Sequence, residues 1–201
     1  MIDMTGFQTT LGEISSLRRG VSYTGADLCE SDGTPMINLK SFAKSGEYRP
    51  EGIKFNNGSF KDRDLIKPDE IILANTDLTK EGDILGAAVM TPSEFNGKDV
   101  IGSHHTTILT LIDDRVVPLF LNFLLNTDKV RLEIKRYRRG ATVKGITSGD
   151  LKRLVLRFPP AEEQRRTIDV LKKMLKGVES AQRLKEGYEL AFRSFSQTNL
   201  E

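Results

Sequence analysis

Two adjacent prolines, Pro159 and Pro160, set the strongest limit on what this chain can fold into. Proline has no N–H for a strand ladder, but its fixed φ suits the first turn of a helix, so the chain must change character there. The run before it, 154–158, is strand-like, and the residues after it have helical periodicity. Glu162 and Glu163 place negative charge at the positive end of a helix dipole. Apolar residues then recur at Ile168, Leu171, Leu175, Val178, Ala181, Leu184, Tyr188, Ala191 and Phe195, in steps of three or four that mark one helical face. A helix over 161–196 would be about 54 Å long, more than the width expected of the preceding domain, so much of it is expected to project. Its stripe then needs a cover: a second copy, another subunit, or the chain's own globular part. Gly177 and Gly187 each weaken the helix by up to ~1 kcal/mol relative to alanine, which makes packing support necessary.

The sequence therefore divides into a globular part over 1–158 and a helix over 159–201. The globular part reads as α+β. Strands are expected at 35–39, 52–55, 70–74, 86–90, 106–112 and 154–158, most of them bounded by Gly, Asp, Asn or Pro. Pro118 opens a helix expected to run over 118–135, with Leu119, Phe120, Phe123, Leu124, Val130 and Ile134 as its buried face. No run approaches the ~20 apolar residues of a membrane span, and the start, Met1-Ile-Asp-Met4, lacks the pattern of a secretory signal, so a cytoplasmic protein with no membrane partner is expected. Cys29 is the only cysteine, which excludes an internal disulfide and a cysteine-cluster zinc site.

The net charge of +2 hides an asymmetry. Residues 129–157 hold ten basic residues against Glu133 and Asp150, a balance of +8, whereas residues 1–128 hold 12 basic and 19 acidic. A basic block on a mixed background suits a polyanion, because phosphate neutralisation releases counterions; the plain alternative is a solvated helix end and loop with no ligand. Nucleic acid is the natural partner. The segment 136–150 is the first candidate for contact, with Arg136, Arg138, Arg139 and Lys144 as phosphate or guanine donors, and Gly140 and Thr142 where the backbone can approach closely. Thr147 and Asp150 could instead form a local helix cap, which is compatible with that role. Asn38, Lys40, Asn75 and Thr76 emerge at strand ends and are candidate base or phosphate contacts, although each type is also ordinary turn chemistry. Tyr23 and Tyr48 lie in similar loops.

Catalysis finds little support. Pro68-Asp69 with Glu133-Ile-Lys135 superficially matches a metal-dependent nuclease, but Glu133 and Lys135 fall on the expected helix and not on a strand beside Asp69. His104 and His105, read as strand residues, would point to opposite faces and could not grip one metal. There is no phosphate-cradling Gly-x-x-x-x-Gly-Lys run and no Gly-x-Gly-x-x-Gly. No metal or cofactor is expected on this chain.

Four segments stand out: Leu11-Gly-Glu-Ile, Lys67-Pro-Asp-Glu-Ile-Ile-Leu-Ala-Asn-Thr-Asp, Gly140-Ala-Thr-Val-Lys-Gly-Ile-Thr, and Phe158-Pro-Pro-Ala-Glu-Glu-Gln-Arg-Arg-Thr-Ile. In their order and spacing they resemble the DNA-specificity subunit of type I restriction-modification systems. Ile146-Thr-Ser-Gly-Asp-Leu151 is a mild departure from the family's usual Ile-Ser-Ser-x-x-Leu. The resemblance implies a target-recognition domain over 1–158 and a conserved spacer helix over 159–201. It also implies a non-catalytic role: reading one half of a bipartite DNA site and scaffolding methyltransferase subunits, with restriction subunits joining through the complex. S-adenosylmethionine would then sit on the methyltransferase partner. Complete members carry two recognition domains and two helices, so this chain resembles half of one. A half-subunit would pair its helix antiparallel with a second copy or another half-subunit through Ile168, Leu171, Leu175, Val178, Leu184, Tyr188 and Phe195. That places two half-sites about one DNA turn, ~34 Å, apart. The alternative is a self-contained metal-dependent DNA endonuclease or other DNA-processing enzyme. A plainer one is a stripe that only self-associates and a basic loop that binds nothing specific.

Overall fold

The computed structural model describes residues 6–79 and 81–198, with the side chains of Glu179, Ala191 and residues 193–198 left aside. In chain order the elements are β1 (Phe7–Thr10), α1 (Leu11–Ile14), β2 (Ser15–Arg19), β3 (Leu28–Cys29), β4 (Thr34–Ile37), β5 (Lys54–Asn56), β6 (Ile71–Ala74), β7 (Thr76–Asp77), β8 (Ala88–Met90), β9 (Ile101–Gly102) and β10 (Thr106–Leu111). Then come α2 (Pro118–Leu125), α3 (Asp128–Arg136), β11 (Lys144–Gly145), α4 (Ser148–Lys152), β12 (Val155–Phe158) and α5 (Ala161–Thr198). The chain divides after Ala161 into two compact units.

At the centre of the first unit is the run Ile71-Ile-Leu-Ala74, buried at every position. Strand period two sends Ile71 and Leu73 to one face and Ile72 and Ala74 to the other, and each pair joins a different apolar core. Strand β10 repeats the division, with Leu109 in the first core and Ile108 in the second. Both faces are covered, so neither run shows apolar–polar alternation; continuous hydrophobicity is the signature of that burial. The central sheet has the order β2-β10-β6-β8 and is antiparallel throughout. Helices α2, α3 and α4 supply Leu121, Leu125, Ile134 and Leu151 to the first core. Ile37, Phe42, Phe95 and Val100 fill the second. The second sheet runs β3-β5-β4-β9, with β4 and β9 parallel.

Strand β1 pairs antiparallel with β12, placing Phe7 opposite Phe158 with their rings stacked 5.3 Å apart. The strand that precedes Pro159 is thereby tied to the start of the unit.

All six runs expected as strands form strands, with shifted ends. Asn38 leaves β4 to open a single 3-10 turn, Leu39–Ser41, and its side chain accepts from the Lys40 N–H at 3.0 Å. The helix expected over 118–135 is instead two. Asn126 ends the first because its side-chain amide is recruited by the edge of β8, donating to the Ala88 carbonyl at 2.7 Å and accepting from the Ala88 N–H at 3.0 Å. Thr127 is then extended, and α3 starts anew at Asp128. Six further strands, among them the two-residue β3, β7, β9 and β11, have no counterpart in the sequence reading.

Helix α5 starts at the residue after the two prolines and carries Glu162 and Glu163 in its first turn. Its 38 residues span about 57 Å. Ile168 is buried and Leu171 half-buried, whereas Leu175, Val178, Leu184 and Tyr188 are exposed. The side chain of Phe195 lies outside the described residues. No helix among the described residues is long and apolar enough to cross a membrane.

Arg18 of β2 and Glu70, just before β6, form the main buried ion pair of the first unit. The guanidinium donates to the Glu70 carboxylate at 2.6 Å and to the Leu65 carbonyl at 2.8 Å, while the Lys67 N–H and the Thr110 hydroxyl complete the carboxylate's shell. Burial pushes the Glu70 carboxyl up, but Arg18, Lys67 and Thr110 outweigh it and hold the group below its ordinary value. A depressed carboxyl contributes stability above its unfolded value, about 4.3, and that contribution is lost as pH falls through the folded value. Arg18→Met, which leaves Glu70 buried without its counter-charge, is expected to cost about 3 kcal/mol at pH 7 in urea denaturation. The gap from the parent chain should narrow as pH falls below the ordinary carboxylate range and Glu70 protonates.

Candidate nucleic-acid interface

Past Ala74 the central strand runs straight into Asn75, and then into β7, which pairs antiparallel with β11. The Ile146 N–H donates to the Asn75 carbonyl at 2.9 Å and lengthens the pairing by one bond. Arg139 and Gly145 exchange two backbone hydrogen bonds of 2.9 Å each, closing the segment between them into a hairpin. Gly140 turns that hairpin at φ +92°, and a Cβ there would lie 2.1 Å from the Val143 carbonyl oxygen, so the position requires glycine. Thr147 then caps α4, its hydroxyl accepting from the Asp150 N–H at 3.1 Å and donating to the Asp150 carboxylate at 2.7 Å. The cap expected at Thr147 and Asp150 is thus present.

These elements border a groove of about 490 Å³ whose lining includes Arg19, Asn75, Thr76, Arg139, Gly140 and Thr147. Four of the eleven candidate contacts from the sequence therefore meet at one place: Asn75, Thr76, Arg139 and Gly140. Asn75 is 7% exposed; its amide N–H donates to the Thr107 hydroxyl at 3.1 Å, while its Oδ1 is buried with no partner. One end of this amide is held by the sheet, and the other end, in a groove wall, has unused hydrogen-bonding capacity. Arg139 lies 3.3 Å from Asp150 with 70% of its side chain exposed.

The other candidates lie elsewhere or are otherwise engaged. Asn38 is buried and donates to the Gly52 carbonyl at 2.7 Å and to the Met36 carbonyl at 3.2 Å, so it is committed to the turn it caps. Lys40, in that turn, is exposed. Arg136 pairs with Glu133 at 2.7 Å, and Arg138 reaches the Glu81 carbonyl at 3.4 Å. Thr142 is exposed at the hairpin tip, and the Lys144 ammonium folds back onto the carbonyls of Gly140 and Ala141. Tyr23 stands near His104, their ring centroids 5.4 Å apart.

The basic block is also less uniform than its count. Arg131 is buried and donates to the carbonyls of Leu85 and Asp83 at 3.1 and 2.7 Å, which makes it an internal clamp on the 81–86 loop. Arg153 is paired with the buried Asp150. The Thr147 hydroxyl, then Arg139 and Arg153 acting against burial, hold the Asp150 carboxyl below its ordinary range. Lys129, Arg153 and Arg157 line a different groove, with Glu133 and Tyr137.

Sequence reading missed Arg19, which lines this groove, and the relation of His104 and His105 to it. The two histidines are not in a strand. They form the turn between β9 and β10, with ring centroids 3.9 Å apart, and the His105 Nδ1 lies 2.8 Å from the Thr76 hydroxyl. The opposite-face argument against a shared metal therefore does not apply, but no group of three or more His, Cys, Asp or Glu among the described residues is placed to hold a metal ion. Burial and then Arg19 hold His104 below its ordinary value, against a contribution from the Val21 carbonyl; burial, His104, Arg19 and Lys54 do the same to His105. Both imidazoles are neutral at pH 7. Glu133 and Lys135 lie on α3, and Glu133 and Asp69 border separate grooves.

Comparison with known proteins adds a family. A family model described as the type I restriction modification DNA specificity domain matches residues 21–188. No curated protein matches the chain. Among the solved structures that share its fold are the following three. One, described as the structural basis underlying complex assembly and conformational transition of the type I R-M system, is 19% identical, with a TM-score of 0.67, over 96% of this chain and 44% of that one. The S subunit of a type I restriction-modification system from M. genitalium is 16% identical, with a TM-score of 0.60, over 89% of this chain and 42% of that one. The HsdS subunit from Thermoanaerobacter tengcongensis is 19% identical, with a TM-score of 0.59, over 89% of this chain and 39% of that one. The chain thus spans about two-fifths of the length of the solved chains it matches.

Gly140→Ala is expected to open the neck of the hairpin without unfolding the unit. Amide exchange at Arg139 and Gly145 should accelerate at least tenfold, a weakening of more than about 1.4 kcal/mol, while the Ile72 amide in the central strand stays protected.

Proposed function

The chain belongs to the type I restriction-modification DNA specificity family, and from that membership we propose that it is a DNA-recognition subunit reading one half of a bipartite site. The observation that carries the reading is the groove at the end of the central strand, which Arg19, Asn75, Thr76 and Arg139 line together. Thr76, next along the same strand end and partly exposed, carries a hydroxyl that suits a base edge or a phosphate. The two arginines beside it provide forked donors for the phosphates on either side. Arg136, Arg138, Thr142 and Lys144 stand on or next to the same hairpin and extend the positive surface, while Lys40 and Tyr23 contribute from separate turns. Asn38 supports its turn and is not among the proposed contacts.

The chain performs no chemistry itself in this reading. It directs methyltransferase subunits, which hold S-adenosylmethionine, to the DNA, and restriction subunits join through the assembled complex. The exposed part of the stripe, from Leu175 through Val178 and Leu184 to Tyr188, pairs with a second copy or another half-subunit, and the assembly works on cytoplasmic DNA. Support comes from family membership, from the length of α5 and from the exposure of these four apolar side chains.

Three outcomes check the proposal. Purified chain incubated with plasmid, Mg²⁺ and S-adenosylmethionine should neither cut nor methylate, whereas adding the cognate methyltransferase subunit should give methylation at one interrupted motif; modification by the chain alone would restore the enzyme reading. Arg138→Ala and Arg139→Ala should each weaken binding to all duplexes and lower the slope of log K against log salt by about 1. Leu184→Lys with Tyr188→Lys should shift sedimentation from dimer to monomer and leave the melting of the first unit unchanged.

A further inference from the structure

Beside the groove, the two histidines have no part in the reading so far, and they join Tyr23 in one surface. Tyr23, His104 and His105 place three rings in series, with centroid separations of 5.4 and 3.9 Å. Their mounting is stiff. The Gly20 N–H donates to the Thr106 carbonyl and the Val21 N–H to the Gly102 carbonyl, at 3.1 and 2.7 Å. The Thr106 N–H and hydroxyl both donate to the Ser103 carbonyl, at 2.8 and 2.7 Å, and the Asn75 N–H donates to the His105 carbonyl at 3.0 Å. A Cβ on Gly20 would lie 2.2 Å from the Ser103 carbonyl oxygen, so the two segments approach as closely as backbones can. Two contacts join this row to the groove: the Thr76 hydroxyl meets the His105 Nδ1 at 2.8 Å, and Arg19 donates to the His104 carbonyl at 2.7 Å. At the far end the Lys54 ammonium sits 5.6 Å from the centre of the Tyr23 ring.

We infer that Tyr23, His104 and His105 form a rigid ledge that continues the DNA contact beyond the groove and reads base edges, with Arg19 and Lys54 on the flanking phosphates. This rests on the DNA-recognition reading above. The division of labour follows from chemistry. Long flexible cations suit phosphates, which carry no sequence information, whereas rings with two rotatable bonds keep polar edges in fixed positions at little entropic cost. With Nδ1 of His105 engaged by Thr76, its Nε2 is the ring atom left for a base, and a neutral imidazole offers one donor and one acceptor. Arg19 from β2, Lys54 from β5 and the neighbouring ring are the charged and titratable groups facing the histidines, and all of them favour the neutral form. Acidification would add positive charge to a surface facing a polyanion, so it should raise affinity for every duplex while eroding the distinction between sequences.

The test is selection of duplexes from a pool with a randomised centre by the full-length chain, comparing the parent with Tyr23→Ala, His105→Ala and His105→Gln. The parent should yield a motif. Tyr23→Ala and His105→Ala should each lose preference at one or two adjacent positions of it, with about tenfold weaker binding to the parent's motif and little change on unselected DNA. His105→Gln, which keeps a donor and an acceptor, controls for folding and should change the preferred base at the same position. Variants that melt like the parent and select the parent's motif would overturn the ledge while leaving the recognition role intact. A parent chain that binds no duplex would overturn the recognition role, and the ledge with it.

Discussion

Everything in the first unit hangs on a four-residue strand with no solvent-facing side. Ile71 to Ala74 are buried on both faces, and each isoleucine or leucine so placed contributes about 1.5–3 kcal/mol from the removal of its surface from water. The consequence for the site is positional. A strand wedged between two cores cannot slip by one residue without exchanging the residues that fill them, so its register is fixed. Asn75 and Thr76 follow directly, and their placement at the groove inherits that fixity. Polar side chains carried on a strand end held this firmly are defined in position to a degree that a free loop would not allow.

The opposite wall is built more lightly. A two-residue ladder, one extra bond at Ile146 and the Arg139–Gly145 exchange are the backbone bonds that hold the hairpin bearing Gly140, Thr142 and Lys144. Asp150 adds a side-chain tie, since it is buried beneath Thr147 and shared between Arg139 and Arg153. The arrangement places one rigid wall against one adjustable wall. That suits a surface which must fit a grooved polymer and still distinguish one stretch of it from another.

How much of this was legible in the sequence depended on whether the relevant constraint was local. The double proline, the acidic first turn of α5, the strand at 70–74 and the Thr147 cap are encoded within a few residues, and each could be read. The break at Asn126 could not, because nothing near it in sequence signals that Ala88, 38 residues earlier, will take its amide as a substitute strand. The two-residue strands are equally silent, since they have no period to detect. Asn38 and Asn75 looked alike as strand-end amides. Only the packed structure shows that the first satisfies its own turn while the second retains an unused oxygen. The histidine pair was misjudged for a related reason: a strand alternates its side chains, whereas a turn can bring adjacent rings side by side, and here the turn is held by the Ser103 N–H donating to the Ile37 carbonyl and the Asn75 N–H donating to the His105 carbonyl.

The reciprocal bonds between Arg139 and Gly145 isolate what lies between them. Because the neck is closed by backbone bonds and by the Arg139 tie to Asp150, the side chains between Arg139 and Gly145 have no duty to the core, and most of them are exposed. Such a segment can change composition over generations while the scaffold stays intact. A lineage under pressure to alter which sequences it marks would find there a short cassette, open to substitution or exchange, whose revision leaves the folded frame in working order.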